Sequence, residues 1–358
     1  MKVAILYVSL RLANFLAFFT YMQVQHRSWS HVFYRWDSQW YESVASHGYH
    51  YVVQDQGRTL SNEAFFPLFP FLERLISQLT TLSYIDSGIA ISLVAGVVAA
   101  LMIYKTISLF ASEKVALVTV ALWALLPMSF IQILSYSETL FTALCASSLY
   151  FTAKKKFVLA AVLSAFAGLT RPSGLAIASA VMIVIFLDLR KSREAPDWKR
   201  IVAIVLAPLG WMAFLSYLAF KHHNPLAYFV IQRDWNNGFD GGSNFLSWIW
   251  QIAQNNIFEG GAITLGALAV IGLLWSLIRS KPPIEFVIYT AAIVFVSFTT
   301  SGYFGSKPRY LMPAYPLLIP ISLWLAGQSS FRKQLFLSIF GAFGIVVSVL
   351  TLAGNGPP

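Results

Sequence analysis

Long apolar stretches recur along almost the whole chain, and they constrain its fold more than any other feature. Eleven of them approach the length needed to cross a bilayer, which is about 20 residues with a working range of about 17–25. Because a helix satisfies its own backbone hydrogen bonds inside lipid, the pattern predicts a bundle of membrane-spanning helices. The predicted spans are residues 3–24, 86–110, 115–134, 137–153, 157–170, 172–189, 201–220, 262–278, 284–300, 311–327 and 334–353.

The composition supports a membrane protein and excludes other classes. Of the 358 residues 57% are hydrophobic and only 11% are charged, with a mean hydropathy of +0.65. Soluble domains carry about 25% charged residues, so a soluble enzyme, a disordered tail and a basic nucleic-acid-binding domain are excluded. We therefore expect membrane lipids and no nucleic acid among the partners. The single cysteine, Cys145, lies in an apolar run and offers no disulfide framework.

The charged residues are distributed unevenly between the two sides of the predicted bundle. With the amino terminus inside, 15 of the 25 Lys and Arg residues fall on the inner side and 9 on the outer, with Arg11 inside the first span. Acidic residues show the opposite bias, with 10 of 15 outside. Positive charge accumulates in short cytoplasmic loops, so this distribution places the amino terminus in the cytoplasm.

Two long segments, residues 25–85 and 221–261, both fall on the outer side. Long loops are commonly functional, and these two carry nearly all the polar chemistry. They also contain all six histidines, which are His26, His31, His47, His50, His222 and His223. We therefore expect one transmembrane domain over residues 1–358, with 25–85 as its catalytic outer loop and 221–261 as a second outer loop.

An aspartate in the first outer loop is the leading candidate for chemistry. Residues 35–49 predict a short amphipathic helix, with Trp36 and Trp40 four residues apart and Gly48 placed to end it. An interfacial anchor would explain the aromatic residues equally well. Asp37, however, lies within the aromatic stripe, where an anchor gains nothing from a carboxylate. Partial desolvation beside the two tryptophans suits a general base.

Two prolines mark a second feature of this loop. Pro67 and Pro70 interrupt the aromatic run of residues 62–70. They predict a bent, membrane-embedded segment that leads into a half-buried helix ending at about residue 82. A simple loop turn that dips into the interface is the alternative.

The motifs of this loop together resemble the PIG-V family, membrane glycosyltransferases of the GPI mannosyltransferase II type. The resemblance lies in Trp36-Asp37 with Tyr41, in His47-Gly48-Tyr49 and in Asn62-x-Ala64-Phe65-Phe66-Pro67-x-x-Pro70. It continues in residues 135–141 and 169–175 and covers the chain to about residue 180. Beyond that, Pro308-Arg309-Tyr310 resembles the Arg-Tyr element near the end of many lipid-sugar-dependent transferases.

The resemblance implies a fold and an activity. The fold is an all-α polytopic membrane protein of the GT-C type, with about eleven transmembrane helices and amphipathic helices in the first outer loop. The activity is inverting transfer of a hexose, expected to be mannose, from a polyprenyl-phosphate sugar to a lipid-linked or glycan acceptor, without a cofactor. The chain is compact and has no glycosylation sequon, so we expect a prokaryotic relative in the plasma membrane, or an endoplasmic reticulum protein if eukaryotic. Its active face is then outside or lumenal.

The same motifs nominate the site residues. Asp37 is the expected catalytic base, and the donor phosphate is expected to bind Arg309, Lys307 and Arg171, cations on a face where topology disfavours them. The expected substrate-binding residues are Trp36, Gln39, Tyr41, His47, Asn62, Glu63, Glu138 and Tyr310. We expect no metal, because His47 and His50 lack a clear third ligand.

Some of these residues have structural alternatives. Arg171 would be costly near the membrane core unless paired, so a structural ion pair with Glu138 competes with the phosphate role. Lys307 and Arg309 could be snorkelling side chains. The polar and aromatic segment 232–238 in the second outer loop resembles a sugar-binding surface, or equally a capped turn.

Two rival functions remain open at the level of the sequence. A lipid or sugar transporter would place ionisable residues near the bilayer midplane and often shows two related halves. Here the predicted spans are almost free of charge at their centres, and no repeat is apparent. A non-catalytic membrane subunit with the same fold would need no buried Asp37.

The orientation makes a testable prediction. The loops at 111–114, 154–156, 190–200, 279–283 and 328–333 should be cytoplasmic, and the two long loops should be outside. Single cysteines in a Cys145-free background should react with an impermeant thiol reagent in intact cells at position 60 but not at position 195. The reverse labelling pattern would contradict the orientation.

Overall fold

The structure, a computed structural model, describes residues 1–55, 57–192 and 197–353. Positions 193–196 of the predicted inner loop 190–200 lie outside the described residues. The first half of the described chain forms α1 (Lys2–Val24), α2 (Trp29–Phe33), α3 (Asp37–His47), β1 (Val52–Asp55), β2 (Arg58–Ser61), α4 (Leu68–Leu79), α5 (Tyr84–Ile107), α6 (Glu113–Ala124), α7 (Glu138–Ala153), α8 (Phe157–Gly168) and α9 (Gly174–Ser192).

In the second half of the described chain the regular elements are helices, apart from an isolated antiparallel bridge between Phe239 and Thr300. This half forms α10 (Trp198–Leu206), α11 (Leu209–Lys221), α12 (Ala227–Asp234), α13 (Ser243–Asn255), α14 (Ile257–Arg279), α15 (Ile284–Thr299), α16 (Lys307–Tyr310), α17 (Ile319–Ala326) and α18 (Ser330–Ala353). Short 3-10 turns cover Asn62–Ala64, Ser129–Ile133, Phe304–Ser306 and Tyr315–Leu318.

All eleven predicted spans coincide with helices, but their lengths differ. Among the described residues α1, α5, α14 and α18 are long and apolar enough to cross a membrane, and α10 with α11 forms a fifth candidate that bends by 46°. The bend falls at Pro208, and α6 likewise ends shortly before Pro127, because proline interrupts the helical hydrogen-bond ladder. The count of eleven spans therefore stays a prediction.

The first outer loop contains the predicted helices. The helix expected over residues 35–49 is α3, and Gly48 ends it with φ of 80°. The bent segment is present as a 3-10 turn followed by extended Phe65, after which α4 begins directly behind Pro67. The sequence did not predict the antiparallel pair of β1 and β2, in which Val52 lies opposite Ser61.

The core of the bundle is packed around α5 and α7. Small side chains such as Ala99, Ala100 and Ala146 are fully buried there with Trp123 and Leu149. Small residues let helices approach closely, which is how membrane helices gain packing energy in the absence of a hydrophobic driving force. This close packing fixes the position from which α7 presents its amino-terminal end.

Two buried polar residues attach other elements to this core. Glu73 of α4 is completely buried, and the Ser135 hydroxyl donates to its Oε1 at 2.5 Å. Burial raises the pKa of Glu73 well above its usual range, which favours the neutral carboxyl. Arg11 of α1 donates to the Ser129 carbonyl at 2.7 Å and to the Ser129 hydroxyl at 3.2 Å. Both contacts hold the chain that leads into α7.

Close packing at Gly210 gives a prediction about stability. A Cβ at this position would lie 1.8 Å from the backbone oxygen of Ala165. Gly210→Ala should therefore lower the free energy of unfolding by about 1–3 kcal/mol, because the backbone of α8 has to shift. Gly272→Ala is the control, since no atom lies within 4 Å of its added Cβ. Equal thermal stability of the two purified variants in detergent would contradict the packing.

Candidate active site

A cavity of about 380 Å³ lies where the two long outer loops meet the helical bundle. Its walls include residues from the first loop, residues 170–173 just before α9, α12, the end of α15 and residues 301–310. Asp37, Arg171 and Arg309 are the charged residues in its lining, as far as the chain is described. Aromatic side chains dominate the remainder, with Trp36, Trp40, Tyr41, Phe65, Phe66, Tyr228, Trp235, Tyr303 and Tyr310.

Asp37 is the first residue of α3, and an unusual backbone turn directs it. The preceding residue, Trp36, has φ of 56° and ψ of −126°. This is a backbone conformation that residues other than glycine rarely adopt. Such a backbone conformation destabilises the fold by on the order of 1–3 kcal/mol, and it persists only where the surrounding contacts enforce it. The Arg35 guanidinium lies 3.9 Å from the Trp36 ring centroid and donates to the Leu352 carbonyl at 2.6 Å. These contacts hold the turn.

Two carboxylates and two guanidinium groups meet beside the cavity. Arg309 Nη1 lies 2.7 Å from Asp37 Oδ2, and Arg309 Nε lies 3.2 Å from Glu138 Oε1. Arg171 Nη1 lies 2.8 Å from the same oxygen of Glu138. The exposed fraction is 19% for the Asp37 side chain and 0% for Glu138. Glu138 thus lies behind the arginines, and Asp37 faces the cavity.

Tyrosine rings and hydroxyls complete this cluster. Arg309 lies 5.2 Å from the Tyr136 ring centroid and 5.3 Å from that of Tyr310. The Tyr136 hydroxyl accepts a hydrogen bond from the Asp37 backbone N–H at 3.4 Å. Tyr41 and Ser137 share a hydrogen bond of 2.6 Å between their hydroxyls. The chain that leads into α7 therefore contacts both α3 and the arginines.

The wall of the cavity joins the two outer loops. The Trp40 ring stacks on Phe65 at 5.9 Å and meets Trp235 of the second loop edge-on at 4.7 Å. Trp235 Nε1 donates to the Ser61 carbonyl at 3.0 Å. Such rings present flat apolar faces beside the charged cluster, an arrangement that suits a ligand with both apolar and anionic parts.

Half of the residues nominated from the sequence line this cavity. They are Trp36, Asp37, Tyr41, Arg171, Arg309 and Tyr310. Glu138 does not line it but touches both arginines, and the ion pair expected between Arg171 and Glu138 is present at 2.8 Å. The phosphate role of Arg171 stays a prediction.

Lys307 lies in a different pocket. Its ammonium donates to the backbone carbonyl of Ser301 at 3.3 Å and to that of Thr300. It lines a smaller neighbouring pocket of about 180 Å³. Burial lowers the pKa of Lys307. The structure therefore does not bring Lys307 to the charged cluster beside Asp37.

Four of the expected substrate-binding residues make contacts elsewhere in the loops. Asn62 is buried and donates to the Ser43 hydroxyl and the Gly48 carbonyl. Glu63 forms an ion pair with Lys221 at 2.6 Å and shares a hydrogen bond of 2.7 Å with His222 Nε2. Gln39 is exposed and donates to the Tyr34 carbonyl, and His47 is exposed beside the Ser46 hydroxyl. None of the four lines the cavity.

Three cavity residues belong to a segment that the sequence had marked without assigning it. Gln232, Trp235 and Asn237 of segment 232–238 line the cavity. The interpretation of this segment as a sugar-binding surface stays a prediction beside that of a capped turn. Trp40 belongs to the predicted amphipathic helix and Phe65 to the motif of residues 62–70, but the sequence assigned neither of them a binding role. No sequence feature marked Tyr228 or Tyr303 as a cavity residue, because isolated tyrosines are common at membrane interfaces.

The arrangement can bind an anion and accept a proton. Two guanidinium groups bordering one cavity suit a phosphate, and the partly exposed carboxylate of Asp37, which suits proton acceptance, faces the same cavity. Among the described residues, no group of three or more His, Cys, Asp or Glu side chains is placed to hold a metal ion.

Comparison with solved structures identifies the fold. ArnT from Cupriavidus metallidurans bound to undecaprenyl phosphate matches 97% of this chain and 71% of its own, with a TM-score of 0.57 and 15% identity. The Archaeoglobus fulgidus oligosaccharyltransferase in its apo form matches 100% of this chain and 56% of its own, with a TM-score of 0.55 and 14% identity. AglB from the same organism, in complex with an inhibitory peptide and a dolichol-phosphate, matches with a TM-score of 0.50 and 14% identity over the same shares.

These likenesses show that the chain has the GT-C glycosyltransferase fold, as predicted. Together with the apolar helices they support an integral membrane protein. This chain spans little more than half the length of the archaeal enzyme, at 56%. No protein-family model matches the sequence, and neither does any curated protein, so the relationship to the PIG-V family stays a prediction.

Proposed function

We propose that this chain is a membrane glycosyltransferase that moves a hexose from a polyprenyl-phosphate donor to a lipid-linked or glycan acceptor. The observation that carries the proposal is the contact of 2.7 Å between Asp37 and Arg309 at a cavity of a GT-C fold. It combines a proton-accepting carboxylate with a cation suited to phosphate. The lipid phosphates in the ArnT and AglB structures support the donor class.

In the proposed reaction Asp37 is the general base. The acceptor oxygen forms a bond to the anomeric carbon while the bond from that carbon to the phosphate oxygen breaks. The phosphate leaves with the bonding electron pair, and the hydroxyl proton passes to Asp37. Attack opposite the leaving group inverts the anomeric configuration and forms no covalent enzyme–sugar intermediate. Base assistance of this kind is typically worth about 10²–10⁴-fold.

The leaving phosphate is assigned to Arg309 and Arg171. Their guanidinium groups are preorganised by Glu138 and by the rings of Tyr136 and Tyr310. Little reorganisation is therefore needed as negative charge grows on the phosphate. Only 5% of the Arg309 side chain is exposed, and electrostatic attraction is stronger where water is excluded. Lys307 is omitted from this assignment because two backbone carbonyls already occupy its ammonium.

Two finer features belong to the same proposal. Mannose as the transferred sugar, and a place among prokaryotic relatives of the PIG-V type, are supported by the motifs of the first outer loop. The aromatic wall of Trp40, Phe65 and Trp235 is suited to packing against a sugar ring. An outward-facing site is supported by the charge distribution of the loops.

Replacing the base gives the most direct test. Asp37→Asn keeps the size and polarity of the side chain but removes its basicity, so the variant should insert normally and lose about 10²-fold or more of its turnover. The measurement is transfer of labelled hexose from a polyprenyl-phosphate hexose to a crude membrane-lipid fraction. Glu42→Gln is the matched control, because Glu42 lies on the same helix but does not line the cavity. Near-normal turnover by Asp37→Asn, or retention of the anomeric configuration, would overturn the mechanism.

Replacing the phosphate ligand tests the donor site. Arg309→Lys keeps the charge but loses the two-pronged geometry, so donor affinity should fall about tenfold or more, as expected for one charge-assisted hydrogen bond. Binding of a polyprenyl-phosphate hexose to the purified protein measures this. Arg58→Lys is the control, since Arg58 is 43% exposed on the β1–β2 hairpin. Unchanged affinity in the Arg309 variant would remove Arg309 from the donor site.

A further inference from the structure

The charged cluster beside the cavity is formally neutral as it stands. Asp37 and Glu138 supply two negative charges, and Arg171 and Arg309 supply two positive ones, with every charge in contact with an opposite one. A phosphate ligand adds further negative charge. It can take the position of a carboxylate on Arg309 only where that carboxylate gives up its own contact.

Asp37 and Glu138 differ in how readily each can leave its arginine. Glu138 is 0% exposed, lies behind the arginines and does not line the cavity. Its withdrawal would leave buried charges without partners. Asp37 is 19% exposed and lines the cavity, so water can solvate it once it leaves Arg309.

Arg309 uses different nitrogen atoms for the two carboxylates. Its Nη1 contacts Asp37 at 2.7 Å, and its Nε contacts Glu138 at 3.2 Å. A phosphate that replaces Asp37 at Nη1 therefore leaves the contact with Glu138 intact. Arg171 also stays paired with Glu138 at 2.8 Å. The exchange needs no rebuilding of the buried half of the cluster.

The same contact occupies one of the two carboxylate oxygens of Asp37. Its Oδ2 is engaged by the guanidinium, so this oxygen becomes available to the hydroxyl of an acceptor only when Asp37 leaves Arg309. We infer that the donor phosphate exchanges with Asp37 on Arg309, so that binding of the donor itself releases Oδ2 of the catalytic base. This inference rests on the proposed function, in which Asp37 is the base and Arg309 binds phosphate. Before the donor binds, the ion pair keeps Oδ2 engaged.

Competition for Arg309 can be measured without any turnover. The probe is undecaprenyl phosphate, titrated into the purified full-length protein in nanodiscs. Asp37→Asn and Asp37→Ala should each bind it about tenfold more tightly than the unaltered protein, because the competing carboxylate is gone. Glu42→Gln removes one negative charge from the same helix but touches neither arginine, so its affinity should be unchanged.

A second pair of variants separates competition from simple charge repulsion. In an Arg309→Ala background, Asp37→Asn should give no gain in affinity, since the contested site no longer exists. A gain that persists there, or a similar gain in Glu42→Gln, would overturn the exchange. Thermal unfolding of each variant confirms that it is folded, and two replacements at position 37 guard against the failure of one.

The outcomes distinguish this inference from the proposed function. If both position-37 variants are inactive in transfer but bind the lipid phosphate no more tightly than the unaltered protein, the exchange is wrong and the general base remains. If Asp37→Asn transfers sugar normally, the proposed function fails and the inference fails with it. Absence of binding to every protein tested would overturn both the phosphate site and the exchange.

Discussion

The contact of two arginines with one oxygen of the fully buried Glu138 carboxylate is the interaction on which the arrangement of the site depends. Charges removed from water are costly unless paired, and loss of one partner of a buried pair destabilises by about 3–5 kcal/mol. Glu138 therefore requires Arg171, just before α9, and Arg309, in α16, to reach the first turn of α7. Arg309 in turn binds Asp37, which is 272 positions away in the sequence. Three distant parts of the chain are fixed at one point.

The strained turn at Trp36 is intelligible from this requirement. The φ of 56° is unfavourable for tryptophan, yet this turn begins α3 so that Asp37 reaches Arg309 while the Trp36 ring lines the cavity. Stacking by Arg35 and the bond from Asp37 to the Tyr136 hydroxyl stabilise the conformation. Strain of this kind persists where surrounding contacts over-determine it, and it commonly does so at functional sites. Its location beside Asp37 is thus consistent with the proposed role.

Local patterns in the sequence predicted the helices well, whereas partners distant in sequence were harder to foresee. Hydropathy located a helix at each predicted span, and the i+4 spacing located α3, because these features depend on neighbouring residues. The Arg171–Glu138 pair was foreseeable since an unpaired arginine near lipid is costly. The contact of Asp37 with Arg309 and the β1–β2 hairpin were not. They depend on tertiary packing, which periodicity does not record.

Asn62 and Glu63 show how residues of a sequence motif can shape a site without lining its cavity. Asn62 fixes the end of α3 by bonding the Gly48 carbonyl, and Glu63 binds Lys221 and His222 at the start of the second loop. Gln232 adds a further link by donating to the Ala64 carbonyl at 3.0 Å. These contacts bring Trp235 against Trp40, so the aromatic wall exists only when the two loops are docked. The polar residues of the motif thus act through the shape of the cavity, and the second outer loop is as much a part of the site as the first.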